Sequence, residues 1–179
     1  MNFPKPITSA TLDHSTKIVG PAIRFPKKRG MDGVTRHPLR NFEDLILWEY
    51  PHHETSSKLV LDDDGKAAYA YLVKGNRVIG DVWLYNVAPT PSDPEWPNVH
   101  KTPYANPFPY SSSEAFSSLQ YAAEIRLVWR ANSTHLEQVD IWLRDQLHAV
   151  IRPCSKPGWC RLAVKAGPLA KPLHEIESH

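Results

Sequence analysis

The chain has little of what stabilises small secreted proteins or membrane proteins. It contains two cysteines, Cys154 and Cys160. A disulfide framework needs more of them, so the sequence leaves open only a single bridge between these two. No stretch approaches the roughly 20 apolar residues that cross a bilayer, and the first residues lack the apolar run of a secretory signal. We therefore expect a cytoplasmic protein with no membrane association.

Recognisable catalytic and metal-binding motifs are also missing. The eight glycines form neither a G-x-G-x-x-G pattern nor a Walker phosphate loop, and there is no G-x-S-x-G nucleophile elbow. His52 and His53 are adjacent, so an extended chain points them in opposite directions and cannot aim both at one ion. Cys154 and Cys160 are not spaced like the close pairs of common zinc sites. We expect no catalytic residue, no metal and no cofactor.

An enzyme is the alternative interpretation. The chain has nine histidines, and a long loop of the kind predicted below can act as a lid. A small hydrolase or transferase would use a histidine with Glu/Asp or with cysteine. This alternative predicts a concave pocket that holds His52, His53, His148 or Cys160 beside a carboxylate.

Charge is distributed unevenly along the chain. Residues 1–40 hold eight Lys/Arg and two acids (8 − 2 = +6), whereas residues 41–179 hold 13 Lys/Arg and 17 acids (13 − 17 = −4). We divide the chain accordingly into a basic N-terminal arm, residues 1–40, extended or partly disordered, and a globular domain, residues 41–179. The basic stretch 24–29 suits phosphate contacts, but the acidic domain argues against a dedicated nucleic-acid binder.

The apolar patterns predict mainly strands. Alternation and β-branched or aromatic content favour strands at 44–50, 58–61 and 124–130. The clearest unit is a β-hairpin, in which Gly75-Asn76 separates residues 66–74 from residues 77–86.

Two further segments lie near the C-terminus. Residues 134–151 fit either a helix or a second hairpin around Arg144-Asp145, and we favour the hairpin because of its β-branched and aromatic content. Ser155 is placed to cap a short helix that Gly167 closes.

These elements predict an α+β fold in one domain. We expect a mainly antiparallel sheet of about five strands and a short C-terminal helix. A long Pro-rich loop over residues 87–118 should connect the hairpin to the later strands. It accounts for much of the unusually high proline content, 17 residues in 179. Its aromatic residues predict that this loop packs onto the domain rather than extending into solvent.

Several short stretches together resemble a known class of proteins. They are YAYLV at 69–73, GDVWLYN at 80–86, PYANP at 103–107, KPGWCRLA at 156–163 and GPLA at 167–170. This combination is similar to small bacterial cytosolic proteins of the immunity type, which neutralise polymorphic or contact-dependent toxins. The resemblance covers residues 66–170, leaves the basic arm outside it and assigns no individual functional residue. It implies a non-catalytic inhibitor that binds one toxin domain.

The predicted function is therefore a protein-binding inhibitor whose acidic domain captures a basic partner. Toxins that attack nucleic acid are often basic, so an acidic surface speeds their capture. We predict that Asp62, Asp63, Asp64 and Trp96 form the contact surface, because interface hot spots favour tryptophan within a polar rim. The sequence leaves the oligomeric state open.

Overall fold

The chain folds into two β-sheets. The computed structural model describes residues 46–132 and 135–178, so the predicted basic arm, residues 1–40, lies outside the described residues. Sheet A has the order β1-β2-β3-β4 and sheet B the order β5-β6-β7-β8-β9. The strands of sheet A are β1 (Ile46–His52), β2 (Ser57–Asp63), β3 (Ala67–Lys74) and β4 (Arg77–Asn86). Those of sheet B are β5 (Ile125–Asn132), β6 (His135–Leu143), β7 (Gln146–Ile151), β8 (Trp159–Cys160) and β9 (Lys171–Pro172). All pairs are antiparallel except β8 and β9.

The predicted α+β class is wrong, because the described residues contain strands and short 3-10 segments but no α-helix. The predicted single sheet of about five strands is instead two sheets. The 3-10 segments are His53–Thr55, Val99–Lys101, Ala122–Glu124 and Leu173–Ser178. None of the helical segments in the described ranges is long or apolar enough to cross a membrane.

The predicted C-terminal helix is replaced by strand β8. The Ser155 hydroxyl donates to the Arg152 carbonyl at 2.7 Å and so closes the turn before it instead of capping a helix after it. The Gly158 amide donates to the Asp81 carbonyl at 2.6 Å. A Cβ at position 158 would lie 2.6 Å from the Val150 carbonyl oxygen. Backbone groups in this segment thus bind neighbouring strands, which leaves them unable to form the i→i−4 bonds of a helix.

Both predicted hairpins are present. The first matches the sequence prediction closely, with β3 and β4 joined at Gly75-Asn76. The second is formed by β6 and β7 within residues 135–151, and its turn holds Arg144 and Asp145 at φ of 50° and 60°. Positive φ is uncommon for residues other than glycine, although aspartate adopts it more readily than arginine. The Arg144 amide donates to the Glu124 carbonyl at 2.8 Å, and its guanidinium donates to the Glu124 carboxylate at 2.6 Å, which holds the turn in place.

Strand β4 joins the two sheets. The outer edge of β4 hydrogen-bonds to Cys154, Ser155 and Gly158, which precede β8. It also hydrogen-bonds to Leu169, which precedes β9. Between the sheets lies a core of fully buried apolar side chains from both, including Leu59, Leu61, Leu72, Val82, Ile141 and Ile151. Burying each large aliphatic side chain contributes about 1.5–3 kcal/mol, and this hydrophobic contribution is the main force that holds the two sheets together.

The Pro-rich connection between β4 and β5 packs against sheet A, as its aromatic residues predicted. The Tyr69 hydroxyl donates to the Tyr104 carbonyl at 2.6 Å. The Asn86 side chain donates to the Asn106 carbonyl at 2.8 Å and accepts from the Asn106 amide at 2.8 Å. This loop therefore covers one end of the sheet's outer face and leaves the remainder open.

Candidate functional site

Three rows of side chains cross the outer face of sheet A, the side turned away from sheet B. Residues directly opposite each other in antiparallel strands point to the same face, and successive residues of one strand alternate between faces. The strand register therefore defines the rows. They are Leu47-Asp62-Tyr69-Trp83, then Glu49-Val60-Tyr71-Asp81, then Pro51-Lys58-Val73-Val78.

The middle row lies open between a covered end and a shallow pocket. In the first row, Tyr69 and Trp83 are 8 % and 1 % exposed, and the Pro-rich loop contacts the Tyr69 hydroxyl through the Tyr104 carbonyl. The middle-row residues are all half-buried. Leu47 and Val78 flank them with 48 % and 40 % of their surface exposed. The open part of the face is thus partly apolar, as in a protein contact surface.

Two carboxylates on this face make no direct polar contact with another side chain in the described ranges. Among the described residues, the side chains of Asp62 and Asp81 receive no hydrogen bond and form no ion pair. Burial raises the pKa of Asp62, and the charges of Asp64 and Asp63 raise it further. Burial also raises the pKa of Asp81, and Lys156 offsets part of that increase. Half-desolvated carboxylates without an internal partner mark a candidate binding site for a positive group.

Tyr71 lies between these two carboxylates. It pairs directly with Asp81 across β3 and β4, and it is diagonal to Asp62, which pairs with Tyr69. Burial raises the pKa of Tyr71 to about 12, with further contributions from Asp62, Asp81 and Asp64. The ring stacks beside Tyr69, with 5.9 Å between centroids. A cation placed here would meet an aromatic ring and two carboxylates together.

The three predicted aspartates face three different directions. Only Asp62 lies on the outer face. Asp63 is fully buried and accepts hydrogen bonds from the Gly65 amide at 2.9 Å and the Tyr85 hydroxyl at 3.1 Å. Asp64 is exposed and closes the β2–β3 turn by accepting from the Lys66 and Ala67 amides. The alternation of a strand points Asp62 and Asp63 to opposite faces, so the three aspartates do not form one contact surface.

Trp96, the fourth predicted contact residue, lies in the Pro-rich loop. Its ring packs edge-on against Tyr110, with 5.4 Å between centroids and an interplanar angle of 78°. It is half-buried and packs against the core. Its neighbour Glu95 binds Lys66 at 2.7 Å, which ties this part of the loop to the β2–β3 turn. Trp96 thus helps to fasten the loop against the sheet.

Of the four residues of the enzyme alternative, the structure brings together only His148 and Cys160, and it places them out of reach of a substrate. His148 and Cys160 are buried in the core, with 3.8 Å between Nε2 and Sγ. Burial lowers the pKa of His148 to about 4 and raises that of Cys160 to about 12. Both groups are therefore neutral near pH 7, which is the opposite of the activated thiolate and imidazolium that a catalytic pair needs.

His52 and His53 lie apart from that pair, at the β1–β2 turn. The His52 ring stacks on Trp129 at 4.7 Å and contacts the Thr55 hydroxyl at 2.9 Å. His53 is exposed and lines a shallow pocket of about 300 Å³ with Pro51, Lys58 and Val73 at the end of the outer face. The described residues contain no group of three or more His, Cys, Asp or Glu side chains arranged to hold a metal ion.

Comparison with protein-family models finds no match. Comparisons with curated proteins and with solved structures likewise find none. The assignment of a function therefore depends on the geometry and charge of the surfaces described above.

Proposed function

We propose that this chain is a non-catalytic protein-binding inhibitor, specifically an immunity-type protein that neutralises a bacterial toxin domain. The observation that carries the proposal is a pair of partly buried carboxylates, Asp62 and Asp81, which lie on either side of Tyr71 and form no hydrogen bond or ion pair with another described residue. We assign the partner contact to this face rather than to the run Asp62-Asp63-Asp64.

Partial desolvation prepares Asp62 and Asp81 to bind a cation. Burying a charge at an interface is costly because the charge loses its water. Asp62 and Asp81 have already lost part of that hydration in the free protein. A partner's arginine or lysine would supply the missing opposite charge at a smaller additional cost, which is the benefit of preorganisation. Tyr71 adds an aromatic surface for the same cation.

The surroundings of the carboxylates suit a protein rather than a small molecule. Leu47 and Val78 expose apolar surface on either side of the carboxylates. On the same face, Glu49 and Lys58 form an ion pair with a distance of 2.8 Å. Apolar contacts beside polar groups characterise protein interfaces. The net charge of −4 over residues 41–179 would also accelerate encounter with a basic toxin domain.

The hydrolase or transferase alternative has weaker support. It requires an activated nucleophile or base within reach of a substrate. Cys160 is fully buried and His148 is 1 % exposed, so a substrate has no access to either. The shallow pocket at His53 contains no described carboxylate lining residue.

The test pairs this chain with a toxin domain encoded beside it. We expect a stable 1:1 complex at low salt and loss of the toxin's activity. The variant Asp62→Asn with Asp81→Asn should leave the toxin active at protein concentrations where the wild type inhibits it. Asp145→Asn removes a charge from an exposed turn and is the matched control. Absence of a complex with every neighbouring toxin domain would reject the immunity function, whereas inhibition by the double variant would reject the assigned surface alone.

A further inference from the structure

The outer face of sheet B carries the opposite chemistry from that of sheet A. The register places Arg126 opposite Trp142, Arg130 opposite Gln138, and Val150 opposite Trp159, all on the side turned away from the core. Lys171 pairs with Trp159 and therefore shares that side. Arg152 follows the inward-facing Ile151 and contacts Gln138 on the same outer face at 3.0 Å. Cationic side chains thus extend from β5 to β9.

Three of these cations have no carboxylate partner. Within the described ranges, Arg126, Arg152 and Lys171 form no ion pair with an acid. Only Arg130 does, through two hydrogen bonds of 2.9 Å and 2.6 Å to the buried Asp140. Asp140 also accepts from Gln138, so its charge is already engaged. The face therefore presents uncompensated positive charge.

The same cations lie against two indole rings. The Arg126 guanidinium lies 4.2 Å from the centre of the Trp142 ring. Arg152 and Lys171 lie 5.1 Å and 4.7 Å from the centre of the Trp159 ring. The Trp142 indole nitrogen is buried and has no hydrogen-bond acceptor among the described residues. Trp159 is buried, with 5 % of its surface exposed, so Trp142 is the ring of the two that a base can reach. Cations beside an accessible aromatic ring on a sheet face are the arrangement that binds phosphates and stacks bases of a single strand.

We propose that the outer face of sheet B binds single-stranded nucleic acid. Phosphates contact Arg126, Arg152 and Lys171, and Trp142, which is half-buried, provides a surface for a base or sugar. The acidic total of the domain is compatible with this because the fold separates the charges. Among the described residues, Asp62 and Asp81 lie on sheet A, and Arg126, Arg152 and Lys171, which form no ion pair there, lie on sheet B. The proposal is independent of the toxin-binding function assigned to sheet A.

The experiment is fluorescence anisotropy of the full-length chain with labelled oligo(dT) and oligo(U) over a series of salt concentrations. Arg126→Gln, Arg152→Gln and Lys171→Gln should each weaken binding roughly three- to tenfold. Each should also reduce the slope of log K against log salt by about 0.7. Trp142→Leu should weaken binding about fivefold or more, and Trp142→Phe should weaken it less, because phenylalanine can still stack. Circular dichroism checks that every variant is folded.

Arg77→Gln is the matched control, because Arg77 is exposed at the β3–β4 turn of the other sheet and its loss should leave binding unchanged. The basic stretch of residues 24–29 is a second source of affinity, so each variant is also measured with Lys27, Lys28 and Arg29 replaced by glutamine. Face variants that bind like the wild type in both backgrounds would overturn the proposal. Equal competition by poly-glutamate of matched charge would overturn it too, since that would show a site for any polyanion.

Discussion

The Nε2 atom of His148 lies 3.8 Å from the thiol of Cys160, and both groups contact the carbonyl oxygen of Leu84, at 2.9 Å and 3.3 Å. The pair has the residue types of a catalytic couple but the environment of a core. Burial keeps the imidazole and the thiol neutral. The pair therefore stabilises the packing of β7 and β8 against β4, and its protonation and reactivity give two direct predictions.

The first prediction concerns pH. Burial lowers the pKa of folded His148 from 6.5 to about 4, so the unfolded chain takes up this proton before the folded chain does. The contribution of neutral His148 to the unfolding free energy is fully present above pH about 6.5, the pKa in the unfolded chain. It is lost as the pH falls from about 6.5 to about 4, and the loss is at most about 3 kcal/mol. Urea unfolding at about pH 7 and about pH 4.5 measures it. His148→Gln should lose less stability over this window than the wild type or the exposed-residue control His100→Gln. An equal loss of stability in the wild type and in both variants would contradict this prediction.

The second prediction concerns thiol reactivity. Cys154 is exposed and Cys160 is buried, and both are free thiols. Burial raises the pKa of Cys160 to about 12, so almost no thiolate is present there at neutral pH. A chromogenic disulfide reagent should label one equivalent rapidly and the second only on unfolding. Cys154→Ser should remove the fast phase. A fast phase that persists in that variant would mean that Cys160 is accessible and would revive the enzyme alternative.

The third prediction tests the contact between the two sheets at Gly80. A Cβ at position 80 would lie 2.6 Å from the Ile151 Cγ2 atom and 2.9 Å from the Arg152 carbonyl oxygen. Gly80→Ala should therefore destabilise the fold by roughly 1–3 kcal/mol. Combining it with Ile151→Ala removes one of the two clashes, so the two substitutions should be coupled in a double-mutant cycle. Additive effects would show that β4 and β7 do not pack as described.

The fourth prediction is that the proposed binding carboxylates contribute nothing to stability. The pKa values of Asp62 and Asp81 are raised in the folded protein. For an acid, a raised folded pKa means that ionisation near pH 7 disfavours the folded state. Asp62→Asn and Asp81→Asn should thus leave the unfolding free energy at neutral pH unchanged or increased. A clear loss of stability in either variant would show a structural role for that carboxylate instead.

Much of sheet A was predictable from the sequence, but the site on it was not. The Gly75-Asn76 turn identifies the β3–β4 hairpin, and simple two-residue hairpin pairing would place Tyr71 opposite Gly80. A bulge between Leu72 and Val73 shifts the register by one residue, so that Tyr71 faces Asp81. A one-residue shift exchanges the two faces of a strand. Bulges leave little signal in a single sequence, which is why Asp81 and Tyr71 were missed.

The wrong prediction of a C-terminal helix has a different cause. Residues 155–167 carry a capping serine and a closing glycine, which are local signals of a helix. The decisive contacts are long-range. Trp159 and Cys160 pair with β7 on one side and with β9 on the other, and the Gly158 amide binds Asp81 in β4. Such pairings with distant strands override local propensity and are not visible in the segment itself.

A calorimetric titration decides whether the outer face of sheet A is the partner surface. A toxin domain encoded beside this chain is titrated into the wild type, the double variant Asp62→Asn with Asp81→Asn, and the control Asp145→Asn. If the outer face of sheet A captures the partner through its free carboxylates, the double variant should bind at least about tenfold more weakly. The control should match the wild type. An unchanged affinity of the double variant would show that this face is not the binding surface.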